Sequence, residues 1–194
     1  MGKIRILILT LWITAGCATF SKKGFKGDYV KAEFISVDGY EGRYSLYAKR
    51  SLDSMVHDSL LKKTNLYQEI VNEPQSVHDE ILENQYDDPA YFVRIEFEGQ
   101  DAIQIALCNG GEILKDTVFY GTWKKGMFYI HNNFLECKGI PYLLGGCNHN
   151  KRRLVFTPEL NIIVNTAVSN EGAFLFVIGS GYRMNMYYEF EKLH

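Results

Sequence analysis

The sequence has little of what would assign it a chemistry directly. It lacks a membrane-spanning run, a surplus of clustered positive charge, and any compact catalytic signature. The longest apolar stretch, from Ile6 to Ala15, is about ten residues and is broken by threonines, whereas a spanning helix needs about 20. The 21 Lys and Arg are outnumbered by 23 Asp and Glu, giving a formal charge of −2. That balance argues against nucleic-acid binding, which relies on clustered cations facing phosphate. The densest basic run in the folded part, Lys151-Arg152-Arg153, reads as a solvated strand end.

No G-x-S-x-G elbow and no phosphate loop occur. His57-Asp58-Ser59 holds the three residue types of a hydrolase triad, but triad side chains must converge from separate places. His78-Asp79-Glu80 is not a zinc-protease motif, and Gly179-Ser180-Gly181 lacks the third glycine of a dinucleotide site and reads as a turn. Asp87-Asp88 and Asp116 are of the kind that decorates surfaces. His131, Cys137, Cys147 and His149 are poorly spaced for zinc, only Cys147-x-His149 being close. No catalytic residue, metal site or cofactor is expected.

What is present begins at the first residues. Lys3 and Arg5 give a positive start, an apolar core follows, and Ala15 and Gly16 precede Cys17. These are the three parts of a secretory signal. Thr14-Ala15-Gly16-Cys17 resembles the lipobox of bacterial lipoproteins. The resemblance implies cleavage before Cys17, lipid on its thiol, and a tether to the membrane. Ala18 stands where the family's inner-membrane retention signal places aspartate, which implies the outer membrane of a Gram-negative bacterium. The expected organisation is a signal peptide over 1–16, lipidated cysteine and tether over 17–26, and one β-rich domain over 27–194. Lys22, Lys23 and Lys26 would then lie on a wet, flexible stalk, a place near the lipid headgroups being the alternative.

Cleavage removes Lys3 and Arg5 and no acid, leaving 19 basic against 23 acidic residues. It also removes Trp12, so Trp123 is the single tryptophan of the mature chain. Export places Cys108, Cys137 and Cys147 where disulfides form. Cys137 and Cys147 flank a loop containing Gly139, Pro141 and Gly145-Gly146 and are the candidates for a bridge. Cys108 ends an apolar strand and reads as a small buried hydrophobe.

Alternation of period two dominates the mature chain. Val93, Ile95 and Phe97 alternate with Arg94, Glu96 and Glu98. Ile103, Ile105 and Leu107 repeat the pattern, as do Met184, Met186, Tyr188 and Phe190, and Val30, Ala32 and Phe34 make an early strand. Turns are expected at Asp38-Gly39, Asn109-Gly110-Gly111, Lys125-Gly126, Asn170-Glu171-Gly172 and Gly179-Ser180-Gly181. The uniformly apolar Phe174–Ile178 suggests a central strand buried on both sides. The spacing predicts an all-β fold, an antiparallel barrel or sandwich.

One helical insertion is predicted around 53–71, where Val56, Leu60, Leu61, Tyr67, Ile70 and Val71 recur at helical spacing, with Asp53 and Ser54 as caps. It would lid a barrel end or, slightly favoured, cover a sheet edge. Residues 72–90 read as an extended polar loop.

Gly121-Thr122-Trp123, followed by an aromatic strand, resembles the G-x-W element of lipocalin-like lipoproteins, although here it lies mid-chain and not on the first strand. That resemblance implies a lipocalin-like domain holding a small apolar or amphipathic ligand in the barrel mouth. Against it stands a protein-interaction module for envelope assembly or surface recognition, using an exposed strand edge or the 142–150 loop. A third reading, weaker, is a hydrolase of envelope polymers. A pocket of several hundred Å³ would favour the first, and a solid core with exposed apolar surface the second.

Overall fold

Strict alternation makes strands because it places every second side chain on one face of the pleat, and these strands account for most of the molecule. The structure, a computed structural model, describes residues 18–25, 27, 29–30, 37–52, 61, 64–71, 90–140, 144–174 and 178–194. Ten antiparallel strands form one sheet: β1 (Gly42–Ser45), β2 (Arg50–Ser51), β3 (Tyr91–Glu98), β4 (Ala102–Asn109), β5 (Glu112–Lys124), β6 (Met127–Ile140), β7 (Leu144–Phe156), β8 (Ile162–Phe174), β9 (Ile178–Phe190) and β10 (Lys192–Leu193). Their order is β10-β1-β3-β4-β5-β6-β7-β8-β9-β2. The fold is therefore all-β and antiparallel, as expected.

The two ends of that order lie side by side. Only Glu191 separates β9 from β10. Ser45 N–H donates to Glu191 O and Lys49 N–H to Glu189 O, both at 2.8 Å, laying the β1–β2 segment along β9–β10. Arg50 pairs with the buried Glu189 carboxylate, whose other oxygen accepts from Asn161 Nδ2 at 2.8 Å.

The core lies between the curled halves of the sheet. Tyr44, Val93, Ile95, Ile103, Ile105, Phe128, Leu154, Phe156, Ile162, Val164 and Phe190 are wholly buried there, together with Leu66 and Ile70 of the helix α1 (Leu66–Val71). Asn65 caps α1, its Oδ1 accepting from Tyr67 N at 2.9 Å. The helix therefore packs on the inner face and does not cover an edge, because both its apolar side chains and its capped first turn are turned into the core. Residues 53–60, with the expected caps Asp53 and Ser54, lie outside the described residues, as do 31–36 of the early strand and 72–89 of the polar loop. No helix among the described residues is long and apolar enough to cross a membrane.

The expected turns at Gly110-Gly111 and Lys125-Gly126 are present, with Gly110, Lys125 and Gly126 at positive φ. Two others are not turns. Asn170-Glu171-Gly172 lies inside β8 and Gly179-Ser180-Gly181 inside β9. The apolar run expected to be a central strand is instead divided: Phe174 ends β8, Ile178 begins β9, and the two are register partners. Likewise residues 144–150 of the expected 142–150 loop belong to β7. The ladder overrides local turn chemistry because glycine and asparagine inside a strand cost less than breaking a long run of paired backbone.

Past their last core row, β6–β9 continue together as a four-stranded ribbon: 131–140, 144–151, 168–174 and 178–185. Cys137 and Cys147 are directly opposite on β6 and β7 and are disulfide-bonded.

Candidate functional site

Gly121 is the point at which the sheet divides. Residues 112–120 of β5 pair with β4, and residues 121–124 pair with β6. A Cβ at Gly121 would lie 2.4 Å from the Phe128 ring and 2.7 Å from Tyr129 O, so only glycine admits this crossing. Two residues on, Trp123 stacks on Phe156 at 5.7 Å between centroids and meets Phe97 and Phe128 edgewise or tilted. Gly121 and Trp123 thus form the hinge of the sheet, and Trp123 fills core; its Nε1–H is buried without a partner.

Beyond the hinge the strands diverge. Residues 112–120 have β4 as their one partner strand and 131–140 have β7, so among the described residues two strand edges stand open facing the split. The exposed large apolar side chains concentrate here. Ile113, Leu114, Val118 and Tyr120 lie on β5, Phe134 and Leu135 on β6, with Tyr182 and Met184 further across the ribbon on β9. Tyr120 is 66 % exposed. An open edge carrying apolar side chains is a template for a further strand.

Polar groups from the ribbon's base hold the end of α1. Asn132 Nδ2 donates to Ile70 O at 2.7 Å, and Arg152 Nε donates to Glu69 O, satisfying carbonyls that a helix end leaves unpaired. Thr166 Oγ1 reaches Glu69 Oε2 at 3.4 Å. Burial raises the Glu69 carboxyl above its ordinary range, partly opposed by Arg152, whose own guanidinium is pulled down to about 10 by burial. The Glu69 carboxylate, set between the Arg152 guanidinium and the Thr166 hydroxyl, docks the helix. On the same face, Asn132 Oδ1 and Asn148 Oδ1 are buried without hydrogen-bond partners.

The opposite face of β6–β9 carries a second polar centre. Arg153, 2 % exposed, donates to Asn165 Oδ1 at 2.8 Å, to Tyr129 OH at 3.0 Å and to Ser21 O. Its guanidinium stacks on Phe20, 4.5 Å from the ring centroid, and lies 5.1 Å from that of Phe25. The run Lys151-Arg152-Arg153 is therefore not a solvated strand end: Arg152 and Arg153 point to opposite faces and both are buried. Residues 18–25 do not stand off as a stalk either. Ala18 and Phe25 are buried, the latter in a cluster with Met127, Val155, Ile163 and Tyr187. Lys22, although exposed, sits over the Tyr29 ring.

The remaining candidates do not converge. His131 Nε2 is 2.8 Å from Thr122 Oγ1, while His149 Nδ1 accepts from Ala18 N–H at 3.3 Å. No group of three or more His, Cys, Asp or Glu among the described residues could hold a metal ion. Asp116 accepts from Gln104 Nε2 on the surface. Cys108 is buried and unbonded to another cysteine. His57-Asp58-Ser59, His78-Asp79-Glu80, Asp87-Asp88 and Thr14–Cys17, the stretch that resembles a lipobox, lie outside the described residues.

An open groove of about 480 Å³ crosses the outer side of β1, β3 and β4, lined by Glu41, Arg43, Arg94, Glu96, Phe97 and Glu98 among others. Its charges pair locally, Arg94 with Glu96 at 3.2 Å, and Glu41 accepts from Phe97 N–H. Such a lining does not suit an apolar ligand.

No family model, curated protein or solved structure matches the chain. The open edges and the Arg153 clamp were not visible in the sequence. The one signal for the edges was the run of apolar residues at both parities in β5, Ile113-Leu114 with Val118 and Tyr120.

Proposed function

We propose that this chain is an exported lipoprotein, lipid-anchored through Cys17 at the outer membrane, whose domain is a protein-interaction module. The module takes an extended segment of an envelope partner along residues 112–120 of β5, on the side that β6 leaves. The observation that carries this reading is the divergence of β5 from β6, which leaves Val118 and Tyr120 exposed on a stretch whose one partner strand among the described residues is β4. Main-chain pairing along such an edge supplies affinity, and alternate side chains on the exposed face supply selectivity. The packing of the described core adds support, since Phe128, Phe156, Phe190 and α1 occupy the centre that a barrel ligand would need. The Cys137–Cys147 bridge fits an oxidising compartment.

Photocrosslinking residues placed at Val118 and at Tyr120 in cells are expected to trap the same envelope protein, and a crosslinker at exposed Glu159 is not. Val118→Lys, which puts a charge on the edge, should abolish the Tyr120 adduct. Adducts that survive Val118→Lys, or that arise equally from Glu159, would refute the edge reading.

The unpartnered Asn132 and Asn148 oxygens favour a second reading, a small amphipathic ligand on the inner face of the ribbon beside Phe134, Tyr182 and Met184. Native mass above the denatured, unreduced mass of envelope-derived protein would support it.

A further inference from the structure

The chain enters the fold from one definite end. Ala18 is bonded to His149, Asn185 Nδ2 donates to Thr19 O at 3.1 Å, Ser21 O accepts from Arg153, and Phe25 is buried with Val155. Along β7 these contacts advance from 149 to 153 to 155. Residues 18–25 therefore run beside β7 in its own direction, away from the far end of the ribbon. Ala18 is thus the end of the segment nearer the row in which Ile140, Leu144, Phe174 and Ile178 are successive register partners.

The ribbon reaches further in that direction than the chain can retreat from it. From His149 to Leu144 the strand advances roughly 17 Å at about 3.4 Å per residue. A single residue of extended chain, the step from Ala18 back to position 17, covers at most about 3.6 Å. The segment cannot swing free to compensate, because Arg153, Asn185 and the Phe25 cluster hold it to the sheet.

We propose that the far end of the β6–β9 ribbon rests in the lipid surface beside the anchor, so that the domain has one fixed orientation on its membrane. The proposal rests on the reading of Cys17 as lipidated. The ribbon's surface suits that interface: Leu135 and Tyr182 are exposed on it, and Lys138, whose side chain is 82 % exposed towards its end, lies 3.2 Å from the Glu136 carboxylate. Tyrosine prefers the headgroup level, and lysine is drawn to anionic lipid.

The test uses full-length mature protein, its mass at residue 17 first determined, in phosphatidylethanolamine–phosphatidylglycerol vesicles containing lipid brominated near the ester end of the acyl chain. Lys138→Trp and Tyr182→Trp each add a reporter on the ribbon, and Tyr120→Trp adds one on β5; circular dichroism confirms that each variant keeps the strand spectrum. Lys138→Trp is expected to lose most of its added emission, Tyr182→Trp less, and Tyr120→Trp and native Trp123 almost none. Lipidated protein in which Lys138→Trp is quenched no more than Tyr120→Trp overturns the orientation and leaves the anchor reading intact, as does a ribbon covered by a protein partner. A mature chain without lipid at Cys17 overturns the anchor reading and the orientation with it.

Discussion

Arg153 is buried, and among the described residues no carboxylate pairs with it. Three oxygens and the stacked rings of Phe20 and Phe25 replace its hydration, and burial lowers its pKa while Tyr129 opposes the shift. Removing the side chain leaves Asn165 Oδ1 and Ser21 O without their donor and opens a void among aromatic rings. Arg153→Ala is expected to cost about 2–4 kcal/mol in urea unfolding. Arg153→Lys should recover only part of this, since an ammonium cannot stack or fork as a guanidinium does. His149 is the second residue whose state matters. Its Nδ1 accepts from Ala18 N–H, which requires a neutral ring, and burial, then Lys151, lower its pKa below the ordinary 6.5. A lowered pKa means that the stabilisation is complete above the unfolded-state value and is lost as pH falls through the folded one. The Ala18 amide should therefore lose hydrogen-exchange protection as pH falls below the ordinary imidazole value of 6.5, and His149→Gln should remove that pH dependence.

The long strands β6–β9 behave as one element, and the disulfide sits within it. Cys137 and Cys147 lie opposite each other and close a loop of about ten residues, so reducing the bridge, or Cys137→Ser with Cys147→Ser, should cost about 2–3 kcal/mol. The loss should concentrate in the ribbon, seen as faster amide exchange at 144–150, with the rows that include Phe128, Leu154 and Val164 keeping their protection. Uniform loss across β3 and β4 as well would show that ribbon and body unfold as one unit. At the same scale, α1 shows why helical spacing did not determine its place. The pattern of Tyr67, Ile70 and Val71 specifies an apolar face, and the choice between edge and interior rests on whether distant groups can cap the helix end. Asn132 and Arg152 do so from β6 and β7.

For the whole molecule, the segment 18–25 is as much part of the domain as any strand. Phe25 is fully buried among Met127, Val155, Ile163 and Tyr187. Deleting residues 18–25 uncovers that cluster and strips Arg153 of Ser21 and of two stacking rings. Burial of one large apolar side chain alone is worth about 1.5–3 kcal/mol, which corresponds to a fall in Tm of roughly 3–12 °C for a chain of this size. Scanning calorimetry of the protein with and without 18–25 measures it; an unchanged Tm would show the segment to be a tether after all.

Alternation in Val93–Phe97, Ile103–Leu107 and Met184–Phe190 determined the antiparallel all-β class, because side-chain period fixes which face is buried whatever the partner strand. Gly110-Gly111 and Lys125-Gly126 were legible as turns for an equally local reason, the need for positive φ. Tertiary structure decided the rest. Whether Asn170-Glu171-Gly172 bends or pairs depends on a ladder running from Leu144 to Phe156 beside it. Lys151-Arg152-Arg153 looks solvated until Glu69 and Ser21, far apart in the chain, close over its two faces. The hinge at Gly121 exists because the Phe128 ring occupies the space of a side chain, and with that hinge come the open edges on which the proposed function depends. Local sequence sets dihedral preference and side-chain period; burial of charge and the pairing of an edge are set by which distant residues arrive.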